Sequence, residues 1–251
     1  MSARAGRLGV GIIGAGRVGP VLGAALAGAG HAITGISAVS EKSRDRAEAM
    51  LPAVPILDIP SIVERSELVI LAVPDTELES LVAGLAATSS WLPGQLVMHT
   101  AAGFGTGILA PAQRLGAIPL AIHPAMDFTG TSIDISRLTE SWFAVTAPTP
   151  VQPIGQALVV EMGGEPVLVR EGDRAAYAEA IDIATAFSRS IVAQATGILS
   201  GIGVEHPGAY LSSLVRSSVD NALQQAGRLP SDPLGPLPGE NLPPEAGTIG
   251  G

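Results

Sequence analysis

The feature that most constrains this chain is Gly14-Ala15-Gly16-Arg17-Val18-Gly19, which follows a six-residue run, 8–13, made only of Leu, Gly, Val and Ile. An unbroken apolar run ending in glycines reads as a strand buried on both faces of a parallel sheet. Residues 18–29 then read as a helix closed by Gly30, and residues 31–38 as a second strand. In that order Gly14 permits the tight turn, Gly16 lets backbone amides approach an anion, and Gly19 lets helix and sheet pack closely. The helix start offers free N–H groups and a favourable dipole to a diphosphate. The loop therefore predicts a bound dinucleotide, with Gly14, Gly16, Arg17, Val18 and Gly19 around its diphosphate. A glycine turn kept for packing alone is the alternative.

The end of the second strand selects between dinucleotides. An NAD site places Asp or Glu there to hold the ribose hydroxyls. This chain instead has Ala38-Val39-Ser40-Glu41-Lys42-Ser43-Arg44, including its only lysine. Ser40, Lys42 and Arg44 are expected to surround a 2′-phosphate, which favours NADP. Glu41 dissents, and is read as facing solvent.

Further along, strands are expected at 54–57, 68–73, 95–99, 117–122 and 142–145. Helices are expected at 41–50, at 76–87 with Asp75 as N-cap, and at 106–115. Alternation at this spacing implies an α/β fold with a Rossmann-type, mostly parallel sheet. The pattern changes near Glu171. Residues 173–202 contain no proline, and Tyr177, Ile181, Ala184, Phe187, Ile191, Ala195, Ile198 and Ile202 recur at gaps of three and four. That is one long amphipathic helix, and Pro207 opens another reaching about residue 226. The division is thus 1–170 for the nucleotide-binding domain, 171–228 for a smaller all-helical substrate and dimerisation domain, and 229–251, rich in Pro and Gly, for a disordered tail. A small helical domain with so long an apolar stripe predicts a homodimer.

Composition narrows the partners. Hydrophobic residues make up 47 % and charged ones 15 %, which is too apolar for disorder. A net charge of −9 argues against nucleic acid, which needs a basic face. The absence of cysteine excludes disulfides, thiolate zinc sites and a Cys nucleophile, and suits a cytoplasmic protein. Residues 18–40 carry no formal charge, but five glycines and Pro20 break them into helix, turn and strand, so no membrane span is expected. The arginines and short apolar run before Gly16 suggest a signal peptide only faintly.

Leu71-Ala72-Val73-Pro74-Asp75 at the end of a strand resembles the 6-phosphogluconate-dehydrogenase-like group of Rossmann proteins. That resemblance puts Ala72, Val73 and Pro74 beside the nicotinamide ribose. His99-Thr100-Ala101-Ala102-Gly103 and His123-Pro124-Ala125-Met126-Asp127-Phe128-Thr129-Gly130 resemble, more narrowly, Rossmann-like proteins with a C-terminal DUF2520 domain, over about residues 7–226. Some of these look like alternative ketopantoate reductases. The resemblance implies an NADP-dependent oxidoreductase acting on a small keto or hydroxy acid, with a ketopantoate-like substrate first. A catalytically inactive NADP-binding regulatory protein is one alternative, and a dehydrogenase of a different substrate, such as an arogenate-like or imine acid, is another. The chain departs from that family's pattern where a Tyr-His pair is usual, with Tyr177 followed by Ala178, and where an Asn is usual, near Ala186.

Reduction of a keto acid needs a proton donor at the carbonyl and a cation for the carboxylate. Of the four histidines, His31 reads as structural and His206 as surface. His99 and His123 fall at the carboxyl ends of strands, where open α/β sheets bind ligands. His123 is the catalytic candidate, expected to exchange a proton near neutral pH. It also resembles the histidine of the His-Pro loop in prephenate dehydrogenases. Thr100 and Arg189 are the candidate substrate contacts; Arg189 is expected on one helix stripe with Asp182, seven residues away. No hydrolase motif or clustered metal-ligand set is present in the sequence, so no metal is expected.

Overall fold

A computed structural model describes residues 7–226, so the 229–251 tail lies outside the described residues. The chain divides into two compact units, Met1–Ala186 and Phe187–Gly251.

The first unit is built on seven strands: β1 (Gly9–Ile13), β2 (Ala32–Ser37), β3 (Leu68–Leu71), β4 (Leu96–His99), β5 (Ile118–Pro124), β6 (Trp142–Thr146) and β7 (Glu165–Leu168). Their order is β2-β1-β3-β4-β5-β6-β7. All neighbours pair parallel except β5 with β6. The helices are α1 (Gly19–Gly28), α2 (Glu41–Met50), α3 (Ile59–Glu64), α4 (Asp75–Ala87), α5 (Ala110–Gln113), α6 (Ile133–Leu138), α7 (Gln152–Glu161) and α8 (Arg174–Asp182). Strand residues alternate between two cores, as the two-residue period requires. Val10, Ile12, Leu68, Ile70 and Met98 meet Leu22 of α1, Ala47 of α2 and Leu158 of α7. Ile13, Val69, Leu71 and Val97 meet Ile62 of α3 and Leu78 and Val82 of α4. The sheet is thus covered on both faces.

Register places the functional edge. Ser37, Ile13, Leu71, His99 and Ala121 stand side by side across five strands. The residues that follow, among them Gly14, Ala72 and Thr100, step together over the carboxyl edge. Strand order reverses between β1 and β3, which is where such sheets open a ligand crevice.

Several expectations are corrected. Residues 54–57 make only an isolated bridge, Ile36 to Ile56, because Pro55 has no N–H to continue a ladder. Pro74, not Asp75, occupies the N-cap position of α4, and Asp75 is its first helical residue. The helix expected at 106–115 is a 3-10 turn, Thr106–Leu109, followed by the single turn of α5. Pro111 lies there and cannot donate to the turn before it. Elements α3, α6, α7 and β7 were not expected at all.

The second unit contains α9 (Ser188–Gly201) and α10 (Pro207–Ala226), with Pro207 opening the latter. Val192, Ala195, Leu199, Leu211 and Val215 are among their half-buried positions. Ile191, Ile198, Ile202, Tyr210, Leu214 and Leu223 remain more than half exposed. No helix among the described residues is long and apolar enough to cross a membrane.

Candidate active site

The glycine loop is shaped by contacts that leave no room for side chains in two places and open space in a third. Gly14 has φ +107°, and a Cβ there would strike the carbonyl of Ala72. Its N–H donates to Ser37 Oγ at 3.0 Å, tying the turn to β2. Gly19 starts α1 directly against the Gly14 carbonyl. Gly16 differs: a Cβ on it would meet nothing nearer than 3.9 Å. Packing explains Gly14 and Gly19 but does not explain Gly16.

Gly14 and Gly16 border a cavity of about 610 Å³, within the range of small-molecule sites. Ser37, Val39, Ser40 and Ser43 line it from β2 and α2, and Ala72, Val73 and Pro74 from the end of β3. Val39 is 92 % exposed, an apolar surface unused by the core. Ser40 caps α2, its hydroxyl accepting the Ser43 N–H at 3.2 Å. No carboxylate lines the β2 end of the cavity, and Glu77 of α4 is the acid in its lining. The residues present fit a dinucleotide: a bare amide loop at a helix start, an apolar shelf, and hydroxyls at a second helix start.

Besides Gly19, four expected cofactor residues lie outside the lining of this cavity. Lys42 lines a separate hollow with Arg46 and the Thr129–Gly130 turn, and Arg44 lines neither. Helical periodicity is the reason, since Ser40 and Ser43 share the cavity-facing side of α2 while Lys42 and Arg46, four apart, share another. Arg17 is exposed and packs its Cα against Gly130 rather than bordering the cavity. Val18 precedes α1 and is half-buried in the core.

Sequence reasoning missed the brace behind this loop. Arg46 Nη1 donates to the Ala15 carbonyl at 3.0 Å, while its guanidinium lies against Gly130, whose lack of a side chain leaves room for it. Asp134, fully buried, holds the turn from the other side. Its carboxylate accepts the Thr129 and Gly130 N–H groups at 2.8 and 2.7 Å and the Thr129 hydroxyl at 3.0 Å. Phe128 anchors the same segment in the core.

The second cluster lies on β4, β5, β6 and α8. His99 is buried: its Nδ1 accepts the Ala101 N–H at 3.2 Å, so its proton sits on Nε2 and is donated to Gly105 O at 2.8 Å. Its role is structural. Burial pushes it down to about 4. Thr100 is half-buried, with its N–H on the Leu71 carbonyl at 3.3 Å. His123, opposite Ala144 of β6, brings Nδ1 to 2.8 Å from the Tyr177 hydroxyl, the rings meeting edge-on at 77°. Burial first, then the charges of Arg174 and His99, hold His123 down to about 4, against the upward pull of Asp182. The expectation that it titrates near neutral pH is therefore corrected: His123 is uncharged at pH 7.

Arg174, only 1 % exposed, was not foreseen. It donates from Nε to Thr146 Oγ1 at 2.7 Å and from Nη2 to the Ala121 and Ala144 carbonyls at 2.7 and 3.1 Å. Its carbon lies 5.8 Å from the Tyr177 ring centre. Glu171 is held by the Thr106 and Gly107 amides and the Thr106 hydroxyl. Burial would raise its carboxyl, but those bonds and the Arg174 charge outweigh it and leave it lowered.

Arg189 belongs to α9, in the second unit. A π-helical turn, Ile183–Phe187, separates it from Asp182. That wider turn breaks the 3.6-residue spacing on which their common stripe rested.

Against known proteins, the chain matches the Rossmann-like domain over residues 1–124 and the domain of unknown function DUF2520 over residues 141–229. The second match therefore includes β6 and β7 as well as the later helices. No protein of curated function matches. An inferred NADP oxidoreductase from Bacteroides fragilis superposes with a TM-score of 0.71 at 18 % identity, covering 89 % of this chain and 82 % of that one. An imine reductase from a Pseudomonas species gives 0.65 at 14 %, covering 88 % and 77 %. The 1-pyrroline-5-carboxylate reductase of Streptococcus pyogenes gives 0.61 at 20 %, covering 92 % and 82 %. At such identities the likeness establishes the fold. The chain thus combines a Rossmann-like domain with a C-terminal DUF2520 domain.

Proposed function

We propose that this protein is an NADP-dependent oxidoreductase that interconverts a small keto acid and its hydroxy acid, with a ketopantoate-like substrate as the first candidate. The observation that carries the reading is Gly16, bare toward a cavity at the start of α1 although no neighbour requires it to be. Gly14, Gly16 and Gly19 hold the diphosphate, with Arg17 and Val18 completing the loop. Ser40 and Ser43, at the start of α2, receive the 2′-phosphate, and Lys42 and Arg44 add positive charge from the outer side of that helix. Ala72, Val73 and Pro74 flank the nicotinamide ribose. A bound reduced nicotinamide supplies the hydride. His123 and Tyr177 handle the proton, while Thr100 is assigned to the substrate. Solved structures of this fold include the imine and pyrroline carboxylate reductases named above, so a cyclic imino acid is the second substrate class.

The test is calorimetric titration with NADPH and NADH, followed by NADPH oxidation with ketopantoate and with 1-pyrroline-5-carboxylate. NADPH binding at least tenfold tighter than NADH is expected, with turnover of the keto acid. Absence of saturable binding by either nucleotide would falsify the reading. The exposed isoleucines and leucines of α9 and α10 further support a homodimer formed through the second unit. Only monomer in sedimentation at micromolar concentration would refute that. A cytoplasmic setting is part of the same proposal and rests on the cysteine-free composition.

A further inference from the structure

Tyr177 and Arg174 stand three residues apart on α8, and both reach the sheet where β5 pairs with β6. None of the hydrogen-bond partners of Arg174 is a carboxylate. A buried guanidinium with no carboxylate in direct hydrogen-bonding contact is costly to keep, and the Glu171 charge acts on it only through space. Beyond those acceptors, the Tyr177 ring lies beside it and the Glu171 charge acts on it. Tyr177 in turn meets His123 through one hydrogen bond, whose direction depends on which imidazole nitrogen carries the proton.

We propose that Tyr177, not His123, delivers the proton of the reductive step, with His123 in its Nδ1–H form donating to the phenol oxygen and Arg174 holding a fixed positive charge behind the ring. This rests on the oxidoreductase reading above. A phenol that accepts from Nδ1–H keeps its own proton free to point at a carbonyl oxygen. Once that proton leaves, the tyrosinate is met by the imidazole N–H and by the cation. In the opposite tautomer the phenolic proton would turn inward to the imidazole, and no donor would remain.

The step balances as follows: the carbonyl carbon gains a hydride from the reduced nicotinamide, the carbonyl oxygen gains the Tyr177 proton, and the phenolic O–H bond breaks. Water then returns a proton to the tyrosinate. His123 holds no second proton at neutral pH, because burial and Arg174 keep it down to about 4. The charged or titratable groups acting on it are Arg174, His99 and Asp182, besides its partner Tyr177. Burial raises the phenol above its ordinary range, and Arg174 moderates that rise.

The first test needs no substrate. Long-range proton–nitrogen correlation spectra of histidine-labelled protein are expected to show His123 uncharged down to about pH 5, with Nδ1 protonated. An Nε2–H tautomer overturns the proposal whatever the substrate proves to be. The second test is kinetic, with NADPH and ketopantoate. Tyr177→Phe is expected to lower kcat by roughly 10²–10⁴-fold with NADPH affinity unchanged. His123→Asn, whose amide can still donate to the phenol, should retain more activity than Tyr177→Phe. The wild-type kcat/KM should show no acid limb between pH 5 and 8, and should fall only as the phenol ionises. A Tyr177→Phe variant keeping more than a tenth of wild-type kcat overturns this proposal alone. Failure of the wild-type protein to bind NADPH overturns the oxidoreductase reading and this proposal together.

Discussion

Two alanine substitutions two residues apart separate a loop kept bare for packing from one kept bare for a ligand. At Gly14 an alanine must adopt φ near +107° with its Cβ against the Ala72 carbonyl. That conformation costs an L-residue about 1–3 kcal/mol. The shift needed to clear the carbonyl also weakens the amide bond to Ser37, worth about 1 kcal/mol. Gly14→Ala should therefore destabilise folding by about 2–4 kcal/mol, or roughly 5–15 °C in Tm for a unit of this size. At Gly16 neither penalty applies, because its φ is not positive and its nearest neighbour would be 3.9 Å away. Gly16→Ala should leave Tm within about 2 °C of wild type. It should nonetheless weaken NADPH binding by about 10–100-fold, the loss of one amide-to-phosphate bond, since each tenfold is about 1.4 kcal/mol. The assays are thermal melts without nucleotide and calorimetric titration with it. Equal drops in Tm for both variants, or a Gly16→Ala protein with intact NADPH affinity, would refute the reasoning.

Other consequences can be checked independently. Ser40→Asp preserves the cap of α2 but puts a carboxylate where the 2′-phosphate is proposed, so NADPH affinity should fall at least tenfold while NADH affinity holds or rises; equal losses for both would contradict the assignment. Folded His99 and His123 stay neutral down to about 4, whereas in the unfolded chain each takes up a proton near 6.5. The unfolded state thus binds more protons below 6.5, so stability is lost as pH falls from about 6.5 to about 4, and neither group contributes above that window. Urea denaturation should show a loss of about 2 kcal/mol per histidine between pH 7 and pH 5; a flat profile would count against their burial as neutral rings. Asp134→Ala leaves the Thr129 and Gly130 amides without their acceptor and should cost about 2–4 kcal/mol. Asp134→Asn can still accept both bonds and should cost about half as much in the same denaturation assay.

Much of the fold was legible because its signals are local. The glycine loop is read from spacing alone, and α2 was bounded correctly since Ser40 is a good cap and no proline intrudes. The missed elements carry the opposite local signal. Residues leading into α7 include Pro148, Pro150 and Pro153, which read as a loop, yet these prolines occupy its approach and first turn, where no N–H is needed. Strand β7 is four residues with Pro166 inside it, tolerated because β7 is the sheet edge. The site was legible only in part, for a different reason. Which side of α2 faces the cavity depends on where the helix docks, so Lys42 and Ser40 looked equivalent. Arg46, Asp134 and Arg174 act on residues 4 to 72 positions away, and nothing near them in sequence announces it. Burial of His123, which moves its titration, arises from packing that no local pattern records.

The stretch from His123 to Gly130 then has a physical reason for its composition. Its first residue carries the imidazole that meets Tyr177. Its last two residues form a turn gripped by Asp134 on one side and by Arg46 on the other. Arg46 also holds the Ala15 carbonyl inside the glycine loop. Eight consecutive residues thus connect the imidazole at one end to the support of the diphosphate loop at the other. Phe128, buried in the core, keeps the segment from swinging about either end. The separation between the proposed proton donor and the proposed anion site is therefore set by covalent chain and buried hydrogen bonds, not by exposed side chains. This is the rigidity that hydride and proton transfer to one substrate require, since both reacting groups must be held to within a fraction of an ångström. A side chain at position 130 would have to push the Arg46 guanidinium aside and adopt a strained φ near +80°, loosening the brace even with His123 intact.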